Sequence, residues 1–447
     1  MKAIHVTLAT LAVGALLFAA PSCSDKDEID PVENPTQNYE PVDESTIAKA
    51  TIAKKVVPEY ASWAENFDQF TSKLETFSGK LASSIGCKKD GNTVISPLST
   101  FTALGMAADC ANGETRQELL DALGITHDEL LANIEYLCYT CNWVFDNKDA
   151  PATSNLIRCA NSLWVRNGVP VKDNGVKSLT TNFLSDVMSM DFDNTDVNSL
   201  VTSYIKNETY GFLSPDMDVK ENAAILLMSV VYLRDVWNEL GNDLDFTEAA
   251  YDFHNSDKST KNTKLLQGNY YGGKAIETKK FRKFYTRSAH GLYLTFIVPN
   301  EGYTVDDLYT ADVLNDTIHY TWNDDKYRYH TRCLFPEFKA DFNMDVKDCI
   351  KNLGVNTFFS PFECDFSNLT EDAVYCSKIQ HVAKLEVARH GIEGAAVTEV
   401  EMMKSSADIE PEDLEDLYQD FIIDRDFIYT IEFQDIPVFT GVVKTIK

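Results

Sequence analysis

An α+β fold is predicted from the 447-residue sequence by three features. Helical apolar spacing is concentrated in the first half, strand-like apolar runs dominate the second, and no strand–helix alternation of the kind that winds a parallel sheet is present. Trp63, Phe67, Phe70, Leu74, Phe77 and Leu81 recur every three or four residues, which predicts an amphipathic helix over 63–85. Further helices are expected at 96–110, 115–123, 128–144, 176–189, 197–210, 305–316 and 344–353. Strands are expected at Ala224–Leu233, Gly291–Val298, Arg332–Phe342 and Ile379–Ala388. A final pair, Phe427–Phe433 and Val438–Ile446, is joined by a short turn with Asp435 and Pro437. Hydrophobic residues at 44% supply a core, so wholesale disorder is excluded. Forty Lys and Arg against sixty-nine Asp and Glu give a net charge of −29, which disfavours nucleic acid as a partner.

The amino terminus opens with Lys2 and an apolar run from Leu8 to Ala20, then small residues before Cys23, the pattern of an export signal over residues 1–22. No later stretch reaches the roughly 18 uncharged apolar residues of a spanning helix. Ala20-Pro21-Ser22-Cys23 looks like a lipoprotein cleavage box, in which Cys23 becomes the lipidated first residue, and Ser24–Glu28 resembles the acidic tag of surface lipoproteins of Bacteroidetes. The expected product is an exported outer-membrane lipoprotein, surface-exposed, with plain secretion as the alternative. Residues 23–60, rich in Pro, Asp, Glu, Thr and Asn, read as a flexible tether.

Of ten cysteines, nine remain after Cys23, an odd number that leaves at least one thiol free. Cys138 and Cys141 form an isolated C-x-x-C on a helical pattern, which reads as buried helix packing in preference to redox or metal chemistry. No G-x-S-x-G, H-E-x-x-H, P-loop or G-x-G-x-x-G motif occurs, and the eight histidines are scattered singly. Asp191–Asp196 begins like a calcium loop but lacks its sixth-position Gly and twelfth-position Glu. No metal or cofactor is expected.

Residues 389–406 carry a different signal. Ile392, Gly394, Ala396, Thr398, Val400 and Met402 are uncharged at even positions, whereas Glu393, Glu399 and Glu401 fall on odd ones. Such a period of two suits an extended chain with one face against a packed core and the other in water. An ordinary half-buried strand would show it too, but the acidic Asp408–Asp420 that follows is unusual after a resident strand.

Here the sequence resembles the serpins, from about Trp63 to the end. Asn92–Ser99, Ala103–Ala107 and Gly113-Glu114-Thr115 look like the family's second helix and its flank. Asn161–Trp164 and Ile225–Trp237 resemble two of its strands, and Pro336-Glu337-Phe338, Leu353-Gly354 and Asp365-Phe366-Ser367 follow in the family's order. Asp424–Phe427 and Pro437–Val443 complete the match. The resemblance implies a serpin fold over 61–447, with a helix-rich first half, three β-sheets and an exposed reactive-centre loop at about 389–421.

It also implies function. A serpin offers its loop to a protease and, once cut, inserts it into the main sheet, carrying the acylated protease along; loop insertion of this kind is the family's general mode of action. The hinge is then Gly391, Ile392, Glu393, Gly394, Ala395, Ala396, Val397 and Thr398, with the even residues inward. Arg389 and His390 stand where the family has Glu, and Ile392 replaces a hydroxyl residue whose exchange for a bulkier side chain slows the first step of insertion. Ser96, Ser99 and His381 match residues of the shutter beneath the sheet, Ser229 replaces an Asn there, and Trp237 matches a tryptophan at the top of the sheet. Counting from Gly391 puts the scissile bond after Ser405, with Lys404, Ser406, Met403 and Met402 as the neighbouring candidates. Lys404 implies trypsin-like targets, and Ser405, Met402 or Met403 elastase-like, subtilisin-like or papain-like ones. Glu410–Tyr418 reads as either a short amphipathic helix or a solubilising insert. The expected activity is suicide inhibition by a monomer, not enzyme turnover; the alternative is a non-inhibitory member that serves as a surface binding protein or is merely cut.

Overall fold

The computed structural model describes residues 39–62, 65–87, 91–146, 156–193, 196–219, 223–238, 242–315, 326–394 and 414–446. In chain order the elements begin with helix α1 (Glu44–Ala50), β1 (Thr51–Ala53), α2 (Phe67–Ile85), β2 (Thr93–Ile95), α3 (Pro97–Cys110), α4 (Gly113–Leu123) and α5 (His127–Asp146). Then come β3 (Leu156–Arg166), α6 (Asp173–Asn182), β4 (Ser185–Met190), α7 (Val197–Glu208) and β5 (Ile225–Asp235). A strand-rich stretch follows: β6 (Tyr251–His254), β7 (Thr260–Thr263), β8 (Leu266–Gly272), β9 (Ile276–Glu277), β10 (Phe281–Arg287) and β11 (Leu292–Pro299). The remainder holds α8 (Val305–Leu308), α9 (Ala311–Leu314), β12 (Tyr327–Phe335), β13 (Phe338–Asp345), α10 (Lys347–Asn352), β14 (Gln380–Ala388), β15 (Gly391–Gly394), β16 (Glu415–Ile422), β17 (Phe427–Phe433) and β18 (Ile436–Val443).

These strands build a seven-stranded main sheet in the order β1-β4-β3-β5-β15-β14-β13, a six-stranded sheet β2-β18-β17-β11-β10-β9, a three-stranded sheet β16-β12-β8 and the ribbon β6-β7. Helix α2 buries Phe67, Phe70, Leu74, Phe77 and Leu81, the stripe read from its spacing. Helix α3 starts at Pro97 and is capped by the Ser96 hydroxyl, which accepts from the Ser99 amide, and it is buried along most of its length. It belongs to the large core with α2, α5, β5 and the six-stranded sheet, and a smaller core joins α7 to β3 and β4, with Trp164 edge-on to Tyr204 at 5.4 Å. The β17–β18 turn carries positive φ at Gln434 (48°) and Asp435 (62°), the handedness a tight hairpin requires.

Several sequence expectations are corrected. The helix read over 176–189 stops at Asn182, and Ser185–Met190 is β4. Ser185, Val187, Met188 and Met190 are all buried, so this strand shows no two-residue alternation to betray it, and its pairing with β3 outweighs helical spacing. The run Arg332–Phe342 is two strands in different sheets, broken at Pro336, which has no amide hydrogen to donate. The helix read over 305–316 is two short ones, α8 and α9. The tether assigned through residue 60 is structured from Tyr39 onward. Strand β1 pairs with β4, and Asn207 of α7 both accepts the Val42 amide (2.9 Å) and donates to the Val42 carbonyl (2.8 Å). Backbone pairing and a few polar side-chain anchors need no apolar periodicity, which is why composition did not reveal them.

Candidate functional site

The site is the place where the main sheet is incomplete. Four-residue β15 pairs on one side with the end of β5, Ile392 opposite Asp235 and Gly394 opposite Leu233. On the other side it pairs with the end of β14, Ile392 opposite Val387 and Gly391 opposite Ala388. Below it, among the described residues, no strand separates β5 from β14, and a cavity of about 360 Å³ opens between them, lined by Met228, Ser229, His381 and Ala383 with α3 as its floor. Residues Ile225–Ser229, mid-sheet by position, are consequently only half-buried.

Of the expected hinge, Ile392 and Glu393 are the described side chains, and they lie on opposite faces of the sheet. Ile392 is fully buried, and removing such a side chain from water is worth about 2 kcal/mol, which helps to hold the first hinge residues in the sheet. Its bulk is thus accommodated before any cleavage. Glu393 points the other way but is not in open water: it is half-buried and accepts a hydrogen bond from the Tyr232 hydroxyl at 2.9 Å. Burial holds its carboxyl above the usual range, although that bond and Arg234 oppose the shift. Gly391 is required by close approach, because a Cβ there would lie 2.1 Å from the Asp235 carbonyl oxygen. Before the hinge, Arg389 and His390 converge on Asp243, Arg389 at 3.1 Å, and the Arg389 amide donates to Glu337 at 2.8 Å.

Four of the five residues expected to govern sheet opening, Ser96, Ser99, Ser229 and His381, meet beneath the cavity. The Ser99 hydroxyl donates to the Ser229 carbonyl at 2.8 Å, the Ser99 amide donates to the Ser96 hydroxyl, and the Ser96 amide donates to His381 Nε2 at 3.0 Å. Trp237 stands apart at the upper end, its indole Nε1 donating to the Ala388 carbonyl at 2.7 Å. Sequence reasoning missed Thr100, whose hydroxyl lies 3.4 Å from His381 Nδ1; it is four residues after Ser96 on the same helix face, a spacing that could have suggested it. It also missed the pair His290–Asp235, 2.9 Å, which braces the end of β5. Ala395, Ala396, Val397, Thr398, Met402, Met403, Lys404, Ser405, Ser406 and Cys23 lie outside the described residues.

The loop boundaries are also corrected. Gly391–Gly394 belongs to the main sheet and Glu415–Ile422 to β16, so the segment between them is shorter than 389–421. Glu415–Tyr418 is strand, not helix: Asp420 pairs with Arg332 at 2.9 Å, and Asp416 meets His330 at 2.8 Å across the parallel β12 ladder.

A family model described as serpin (serine protease inhibitor) matches residues 72–445. The chain is a serpin. Among similar proteins, neuroserpin of Mus musculus is 26% identical over 375 residues, covering 77% of this chain and 83% of that protein. Alaserpin of Manduca sexta is 23% identical and covers 84% and 92%. Among solved structures, the thermophilic serpin tengpin in its native state superposes with a TM-score of 0.67 at 20% identity, covering 89% of this chain and 99% of that one. The structural likeness establishes the shared α+β serpin fold, and the family consists in general of protease inhibitors.

In this serpin the histidine beneath the gap is tuned by its surroundings. Complete burial lowers His381 from the ordinary histidine range to about 4, so the imidazole is neutral and accepts from Ser96. The unfolded chain therefore binds the proton first. Stability attributable to His381 is intact above about pH 6.5 and is lost as pH falls toward 4, by about 3 kcal/mol in all. Urea unfolding between pH 7 and 4 should lose this contribution in the parent and not in His381→Gln; equal slopes would show that His381 does not supply it.

Proposed function

We propose that this serpin is a suicide-substrate inhibitor of serine endopeptidases, extending to papain-like cysteine enzymes. The observation that carries the reading is β15: the expected hinge already sits as a short strand between β5 and β14, with the cavity below it. Continuing its register along β5 would place residues 395–402 opposite Tyr232 down to Ile225, the first residue of that strand. A cut at Met402, Met403, Lys404, Ser405 or Ser406 would free enough chain to complete the sheet, and the alternation of Ala396, Thr398 and Val400 puts no charge on the inward face. The acylating nucleophile is the protease's; the inhibitor supplies the loop sequence and the free energy of strand insertion.

The same proposal includes export, with Cys23 lipidated and the monomeric chain held at the outer membrane, where extracellular proteases would meet it. The test is incubation of the chain lacking residues 1–23 with trypsin, pancreatic elastase, subtilisin and papain. A band at the summed mass that survives denaturation is expected, and the released C-terminal peptide will begin within residues 403–407. Cleavage there with no complex and no gain in thermal stability would replace this reading with that of a cleaved, non-inhibitory serpin.

A further inference from the structure

Helix α5 places Cys138 and Cys141 against β3, and there they meet a third thiol that the C-x-x-C spacing did not announce, Cys159. All three are buried, and the nine described cysteines are free thiols. One carboxamide bridges two of them: the Cys159 thiol donates to Asn161 Oδ1 at 3.7 Å, and Asn161 Nδ2 donates to the Cys138 sulfur at 3.5 Å. The backbones of the same two cysteines are pinned together by Asn142. Its Nδ2 donates to the carbonyls of Cys138 (2.8 Å) and Cys159 (3.0 Å), and its Oδ1 accepts the Cys159 amide (3.1 Å). Cys159 Sγ also lies 3.9 Å from Ser229 Oγ, and Ser229 lines the open cavity between β5 and β14, so a small solute in that cavity has a short path to this sulfur.

We propose that Cys138 and Cys159 are a modification site: a dithiol that a peroxide oxidises to a disulfide, joining α5 to the central sheet beside the shutter. The two thiols are unequal. The Cys138 hydrogen bond, with help from Ser229, Thr102 and Arg158, holds Cys159 below the ordinary thiol range despite burial, whereas its bond to Cys159 and its own burial push Cys138 up. Cys159, whose sulfur lies beside the cavity-lining Ser229, is the thiol a peroxide entering the cavity reaches first, and it is the nucleophile. Its thiolate attacks one oxygen of hydrogen peroxide, the O–O bond breaks, hydroxide leaves and a sulfenic acid forms. The Cys138 sulfur then attacks the Cys159 sulfur, the S–O bond breaks and water departs with the Cys138 proton. Two thiols are oxidised, one peroxide is reduced, and two waters result.

The crosslink would fasten β3 to α5, and β3 is paired along its length with β5, the strand that borders the gap. Oxidation should therefore slow the movement that admits the cut loop. This second consequence rests on the inhibitory reading; the disulfide itself does not.

The full chain is treated with hydrogen peroxide while native, then alkylated under denaturing conditions and mapped without reduction. A Cys138–Cys159 peptide pair about 2 Da lighter than its separate halves is expected. It should be lost on reduction, absent from Cys138→Ser and Cys159→Ser, and present in Cys110→Ser, with unchanged far-ultraviolet spectra as the folding control. Sulfinic acid at Cys159 without a crosslink, a Cys141–Cys159 pair, or untouched thiols would each overturn the assignment. After loop cleavage, the oxidised chain should gain thermal stability about tenfold more slowly than the reduced one. Equal rates would overturn the coupling. If the disulfide forms but neither chain gains stability, it is the inhibitory reading that fails and the modification site that stands.

Discussion

Thr398→Arg is expected, on the inhibitory reading proposed above, to replace trapping of the protease by simple cleavage of the loop. Continuing the register four residues past Gly394 brings Thr398 opposite Ser229 on β5 and His381 on β14. A threonine hydroxyl can join the hydrogen bonds there, whereas an arginine would carry its charge into a site where His381 is already held neutral by burial. An unpaired buried charge costs several kcal/mol, and each 1.4 kcal/mol on the insertion barrier is about tenfold in rate. Insertion should slow by two or more orders of magnitude, so hydrolysis of the acyl-enzyme wins. Denaturing gels will then show cut inhibitor and active protease with no covalent complex. Glu401→Arg, of opposite parity, should still trap. Efficient trapping by Thr398→Arg would mean that the loop does not continue in the register begun by β15.

Gly441→Ala is expected to produce the largest loss of stability from a single added methyl group. Gly441 lies in β18 between β2 and β17, where a Cβ would come 2.0 Å from the Thr93 carbonyl oxygen and 2.5 Å from the Tyr429 hydroxyl. That hydroxyl itself donates to Thr93 at 3.0 Å in a fully buried site. The backbone must move apart and the bond breaks, at a combined cost of about 4 kcal/mol from overpacking and an unsatisfied buried group. This is a large part of the stability of a typical domain. Urea unfolding and soluble yield will report it. Tyr429→Phe in the same chain removes the hydroxyl and should recover part of the loss, so the two changes will not be additive. A Gly441→Ala chain as stable as the parent would show that β18 and β2 can separate without penalty.

How much of this was legible in the sequence depended on whether the physical cause was local. Helix α2 was readable because one face is apolar every three or four residues, and α3 because Ser96 and Pro97 mark its start. The inward side of Ile392 was visible in the order of charged and uncharged residues along the segment. Strand β16 was not, because its outward residues are acidic and make sense only beside Arg328, His330 and Arg332 of β12. Likewise, nothing in the spacing of Cys138 and Cys141 announces Cys159, which reaches them by pairing of β3 within the sheet. Ser96, Ser99 and His381 came through resemblance to a family; their hydrogen bonds, and the part played by Thr100, required the fold.

The early structured segment also decides where a pull on this molecule would act. If the chain is held by Cys23, drag from the medium or from a captured partner must pass through Tyr39, whose hydroxyl is bonded to Asn207 at 3.0 Å, and then through the short β1–β4 ladder. That ladder is the outermost rung of the main sheet, with β4, β3 and β5 standing between it and the gap. The load therefore enters at the rim and is shared with α7, and the mechanical weak link is a few side-chain hydrogen bonds, involving Asn207, Ser203 and Asp186, and a three-residue strand. A tug strong enough to peel the rim would yield there first, leaving the strands that border the gap unstrained.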